Sequence, residues 1–150
     1  MAYDSTADTI DHINKVRARL YEIVERLKGR ALVHDASKLQ EPEKSGYDAL
    51  TIALKDCVYG SDAYRAALAE AKPVIDHHYA ANDHHPEHYS NGVNGMSLMA
   101  LVEMLADWKA ASERTKQGSI AQSLAHNKTR FGISDQLAEI LENTVKDLGW

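Results

Sequence analysis

The sequence predicts an all-α protein, a bundle of six or seven helices, and three observations carry that expectation. Apolar residues recur at three- and four-residue steps over most of the chain, and the strict alternation of a half-buried strand is absent. Turn signals such as Pro42, Gly46 and the Asn-, Pro- and Gly-rich "NDHHPEHYSNGVNG" punctuate these periodic stretches. The composition, 44% apolar and 26% charged over 150 residues, is that of a globular domain long enough to bury a core without disulfide or metal staples.

The first helix is expected from about Thr6 to Lys28, with Ile13, Val16, Leu20, Ile23, Val24 and Leu27 on one stripe and Gly29 as its stop. A second, short helix would carry "ALVHDASKL" and end before "QEPEKSG", where Pro42 and Gly46 punctuate. Tyr47 to Tyr59 and Ser61 to about Ala81 come next, the latter interrupted near Pro73, because proline lacks an amide hydrogen and crowds the preceding turn. "NDHHPEHYSNGVNG" reads as a loop by its Asn, Pro and Gly content. A helix from about Ser97 to Lys116 would bury Leu98, Leu101, Val102, Leu105 and Trp108. The last helix opens on Ser134 as N-cap and carries Leu137, Ile140, Leu141, Val145 and Leu148 on one face.

The bulk numbers exclude several function classes. A formal net charge of −5 argues against bulk nucleic-acid binding, which needs many cations to neutralise phosphates, but leaves room for a small phosphorylated ligand in a local pocket. One cysteine, Cys57, excludes an intrachain disulfide and a cysteine-rich zinc module. No apolar run has the length of a signal peptide or membrane span, so the expectation is a cytoplasmic protein with no membrane partner. A homodimer is compatible with a helical chain of this size, although no interface stripe identifies one.

The chemistry-bearing residues concentrate in "DHHYAANDHHPEHY", residues 76–89, which holds five of the eight histidines. Upstream, His12 lies on the first helix and His34 and Asp35 are adjacent in "VHDASK"; downstream, Asp107 lies in "EMLADWKAA". His, His-Asp and Asp on three different helices suit a divalent metal inside a bundle, and mixed imidazole and carboxylate ligands favour manganese, iron, cobalt or zinc over calcium. The bland alternative is a set of hydrogen-bonded core residues and a polar histidine loop.

Other catalytic readings fail on their chemistry. "HHPEH" has the letters of an inverted zinc-protease motif, but Pro86 interrupts the continuous helix that motif needs. The Cys-x-x-Cys of zinc deaminases is impossible with one cysteine. "GISDQ" and "NGVNG" lack the spacing of a phosphate-binding loop.

His12, His34-Asp35 and Asp107 resemble the H…HD…D signature of the HD-domain superfamily, helical metal-dependent phosphohydrolases. More closely, "HINKVRARL", "HDASKL", "HHYAANDHHPEHY" and "EMLADWKAA" resemble an uncharacterised phage and bacterial family of unknown function with H-D-x-S-K, H-H…N-x-H-H and E-M-x-A-D-W blocks. The likeness covers about residues 9–111. One HD-like domain over 1–150 is therefore expected, with a family-like core to about residue 116 and a helical extension over 117–150 that carries no motif.

The resemblance implies that His12, His34, Asp35 and Asp107 hold one metal that activates a water. Lys38, one turn beyond Asp35, would meet a substrate phosphate oxygen. His78, His84 and His85 would bind a second ion, with Asp35 bridging, or serve the substrate, with His84 or His85 as general acid; their spacing departs from the usual two-metal pattern. His77 and His78 point about 100° apart on a helix, so one of them faces the site, and the likeness selects His78. Asn82 could grip phosphate. Glu103 could orient a ligand imidazole or accept a hydrogen bond elsewhere. Arg17 and Arg19 read as a solvated face or a phosphate contact, Trp108 as core, Tyr79 and Tyr89 as packing or a stacking platform, and His88 and His126 as surface.

The expected function is a phosphohydrolase acting on a nucleotide or another small phosphorylated metabolite, with one or two transition-metal ions. The alternatives are a non-catalytic protein that sequesters metal or nucleotide and meets a host partner, and a di-iron oxygenase of the HD type.

Overall fold

The computed structural model describes residues 3–55, 57–58, 60–114 and 118–150, and every regular element among them is helical. The chain divides into two units, Met1–His34 and Asp35–Trp150.

The first unit is one helix, α1 (Thr6–Val33). Gly29 does not stop it. A glycine inside a helix costs about 1 kcal/mol relative to alanine, which the good helix formers around it outweigh, and the helix continues through Ala31, Leu32 and Val33. Its apolar stripe is accessible: Ile13 is 48% exposed and Leu20 56%. Arg19 pairs with Glu22 on its solvated face, and Arg17 donates to Asn14.

The second unit opens at a left-handed turn. Asp35 has φ 54° and ψ 16°, and is the one non-glycine residue with a positive φ among those described. "ALVHDASKL" is therefore not one short helix. Its first three residues end α1, and Ala36–Leu39 form a 3₁₀ turn. Next come α2 (Glu43–Leu54), α3 (Asp62–Glu70) and α4 (Lys72–Ala81). The expected end of α2 at Tyr59 lies outside the described residues. Ser61 caps α3 by accepting from the Tyr64 amide. The helical stretch is interrupted near Pro73 as expected, and Pro73 falls in the first turn of α4, where its missing amide hydrogen is one that a helix does not use.

Gly46 lets α2 and α4 approach closely. A Cβ there would stand 2.3 Å from a Val74 methyl. Gly46 lies one turn after Glu43 and Val74 one turn before His78, so this contact sets those two side chains against each other.

The histidine segment leaves α4 and makes two 3₁₀ turns, Pro86–His88 and Gly92–Gly95. It then enters α5 (Leu98–Ser112), capped by Ser97. The expected end of this helix at Lys116 lies outside the described residues. Helix α6 (Ile120–Phe131) falls in the expected helical extension, within which no separate bounds are expected for it; Ser119 caps it, Gly132 ends it at φ 60° and Ile120, Leu124 and Asn127 form its buried side. Helix α7 (Asp135–Asp147) has Ser134 as N-cap, as expected.

The core lies between α5, α6 and α7. Met104 and Leu105 meet Leu124, Leu141 and Val145, and Trp108 stacks on Phe131 at 6.1 Å with the rings 3° from parallel. On α5, Leu105 is buried and Leu101 and Trp108 pack against the core as expected, whereas Leu98 and Val102 are exposed and Ala100 and Met104 take buried places. On α7, Ala138 takes the buried place and Ile140 and Leu148 are half exposed.

Candidate metal centre

Four side chains of the second unit converge. Asp35, His78, His84 and His85 each offer a donor atom, and these atoms lie within 4.8 Å of one another. Three separate segments bring them: the left-handed turn at Asp35, the end of α4 for His78, and the turn before Pro86 for His84 and His85. The His85 amide donates to Asn82 O, closing the turn that returns these rings towards α4.

The distances are those of ligands sharing one ion. His78 Nε2 is 3.0 Å from His85 Nε2. Asp35 Oδ1 lies 3.2 Å from His78 Nε2 and 3.4 Å from His84 Nε2. A tetrahedral or octahedral ion with bonds of ~2.1 Å separates neighbouring donors by ~3.0–3.4 Å.

The hydrogen atoms on the rings can be placed from their far sides. His78 Nδ1 donates to Glu43 Oε2 at 2.8 Å, and His84 Nδ1 faces Glu103 Oε1 at 3.1 Å. An ionised carboxylate only accepts, so these contacts put the hydrogen on Nδ1 and leave Nε2 as the lone-pair atom of the neutral ring. Both Nε2 atoms then point at a carboxylate oxygen, which repels them unless a cation stands between. His78 and His84 are at most 2% exposed. Supplying that charge as protons would bury two imidazolium ions beside Lys38, whereas one divalent ion satisfies all four donors at once. The donor set therefore fits a metal.

Charge within the site is tuned in the same direction. Burial alone would raise the Asp35 carboxyl, but the Lys38 ammonium, which donates to its Oδ2, favours the ionised form and helps hold it below the usual carboxylate range. Burial and the neighbouring His84 and His78 push His85 down to about 3, so its ring is neutral at pH 7 and has a lone pair to give. Lys38 Nζ donates to Asp35 Oδ2 at 2.6 Å, sits 5.0 Å from the centre of the Tyr47 ring, and is one-third exposed.

Glu43 is the residue that sequence reasoning missed. It is fully buried, although it lies in "QEPEKSG", which reads as a polar connection. Its Oε1 accepts from His77 Nδ1 at 2.8 Å and its Oε2 from both His78 Nδ1 and Ser37 Oγ at 2.8 Å. Burial tends to raise its pKa, and those three donors outweigh burial and lower it. Asn82 also takes a structural place: its Nδ2 donates to Ser37 Oγ at 2.9 Å and to His78 O at 2.8 Å. No sequence signal marks Glu43, since only the α2–α4 approach turns it inward. Glu103 shows the orienting contact weighed for it.

His12 is exposed on α1 and His34 is the C-cap of that helix, both in the first unit. Asp107 is half-buried on α5, one turn beyond Glu103, and is not a member of the convergent set. Of the adjacent pair, His78 points into the site and His77 is half-exposed behind it. His88 and His126 are exposed, and Tyr79 packs on His85 with ring centres 4.7 Å apart. "HHPEH" is a 3₁₀ turn, not a continuous α-helix. Among the described residues no helix is long and apolar enough to cross a membrane.

Comparison with known proteins returns a family profile, described as a family of unknown function (DUF5662), that matches residues 1–147. No curated protein matches the chain. No solved structure matches it either.

Proposed function

The chain belongs to DUF5662, a family of unknown function, and from that premise we propose that it is a metal-dependent phosphohydrolase of nucleotides or other small phosphorylated metabolites. The observation that carries the reading is the convergence of Asp35, His78, His84 and His85, with carboxylates behind two of the rings. The reaction class comes from the likeness of the His-Asp motif to HD domains. Three imidazoles and one carboxylate suit manganese, iron, cobalt or zinc. Such an ion supplies Lewis acidity towards water and a phosphoryl oxygen.

The residues of the chain divide the remaining work. Asp35 is held ionised, so it can orient a water by accepting its hydrogen bond. Lys38 is exposed enough to turn from Asp35 Oδ2 to a phosphate oxygen, as a point charge on a flexible stem. His85 is held neutral and His84 is braced by Glu103, which makes both better ligands than acids. The proton for the leaving oxygen would come from solvent, since His77 stands behind the His78 ring with its Nδ1 on Glu43. The chain's negative charge confines phosphate capture to this local cation.

The test pairs metal content with turnover. Protein purified without chelator or affinity tag is measured for bound metal and for phosphate release from a panel of nucleoside mono- and triphosphates, beside Asp35→Asn. Asparagine tolerates the left-handed backbone, so the variant removes charge without removing the turn. Metal and phosphate release in the native chain, both lost in the variant, are expected. Metal uptake with no release of phosphate would leave a sequestering protein, and no uptake of any of the four metals would remove the reading.

A further inference from the structure

The segment beyond residue 117 carries no site motif, yet one of its side chains reaches the histidine turn. Arg130, at the end of α6, donates from Nη2 to Glu87 Oε1 at 2.7 Å and to Tyr79 Oη at 3.4 Å. These partners stand on either side of the turn that carries His84 and His85: Tyr79 is on α4 beside His78, and Glu87 is in the 3₁₀ turn just after. The guanidinium is backed by the core, since it lies 4.6 Å from the centre of the Phe131 ring, which stacks on Trp108.

His85 is the ligand that needs such support. Carboxylates fix the Nδ1 sides of His78 and His84. His85 shows no carboxylate behind its ring among the described residues. Its orientation rests on ring contacts, with Tyr79 at 4.7 Å and His84 at 4.2 Å. Tyr79 is in turn held by Arg130.

We infer that Arg130 is a positioning residue for the metal site, holding Tyr79 and Glu87 so that the His85 ring stays turned towards Asp35 and His78. This rests on the metal reading above and gives the C-terminal helices a part in the site. The rival role, a surface ion pair, makes a different prediction, because removing an exposed pair changes little.

The experiment is a titration of the full-length protein with Co²⁺, followed by visible absorption, which reports ligand number and geometry as well as affinity. Removing a group directly behind a ligand weakens metal binding ~10–100-fold, so for Arg130→Ala, one contact further out, a loss of ~3–10-fold is expected. A changed absorption band should accompany it. Reversing the pair, Glu87→Arg with Arg130→Glu, should recover part of the affinity. Lys128→Ala, which breaks the Lys128–Asp135 pair at 2.6 Å on the same helix, should leave affinity and spectrum unchanged. If Arg130→Ala fails to fold, Tyr79→Phe removes only the accepting hydroxyl and should show the same spectral change. Native-like affinity and spectrum in Arg130→Ala, or in Tyr79→Phe, overturn the inference while the metal site stands. No Co²⁺ binding by the native chain overturns both.

Discussion

Glu43 shows how much of the site depends on one carboxylate outside the converging set. It is fully buried and accepts from His77, His78 and Ser37. A buried anion with three donors is stable where an unpaired one would not be. Glu43→Gln keeps the shape but offers one accepting oxygen, and its amide nitrogen would meet a ring N–H head on. We expect this variant to keep its helical circular dichroism and to lose metal affinity by ~10–100-fold. Isothermal titration with Zn²⁺ or Mn²⁺ checks it, and affinity equal to the native chain would refute the orienting role. The same residue marks the limit of sequence reading. His78, His84, His85 and Asp35 are legible because imidazole and aspartate crowd together in sequence, whereas Glu43 is one acidic residue among many.

At the scale of the element, a helix boundary depends on the residues around a breaker as much as on the breaker itself. Gly29 reads as a stop because glycine so often ends helices, but the left-handed turn comes six residues later, at Asp35. Gly29 keeps helical backbone, and nothing lies within 4 Å of a Cβ placed on it. Gly29→Ala should therefore stabilise α1 by about 1 kcal/mol. Chemical denaturation measures this, and a destabilised variant would contradict the uninterrupted helix. Helix α6 makes the complementary point. Its apolar positions are few, but Ile120 and Leu124 lie one turn apart on its buried side, and its caps, Ser119 and Gly132, are ordinary signals that could have located it.

For the whole molecule, the site links stability to protons and metal. Glu43 and Asp35 are held below the usual carboxylate range, and His85 is pushed down to about 3. In each case the folded chain binds fewer protons than the unfolded chain, so stability rises with pH through that interval. The His85 contribution begins to be lost as pH falls below the ordinary imidazole value of ~6.5. The carboxylates add to the loss below ~4. Thermal unfolding in chelator should show a midpoint that falls steadily from pH 7 to pH 4; a flat profile would contradict these directions. At pH 7, metal at a hundred times its dissociation constant adds ~2.7 kcal/mol, which moves the midpoint upward by ~5–10 °C for a chain of this size. Chelator should reverse the shift.

The amino-acid sequence by itself determined that the chain is helical, that Ser97 and Ser134 open two of its helices, and that Asp35, His78, His84 and His85 are among the candidate ligands. These are local properties, set by periodicity, capping and residue type within a few turns. Only the tertiary structure decided that Glu43 stands behind the His77 and His78 rings, and that Arg130 reaches Tyr79 and Glu87 from 43 to 51 residues away. Those choices are made where helices meet, as at Gly46 against Val74, and the facing partner in such a contact is not written in the local pattern.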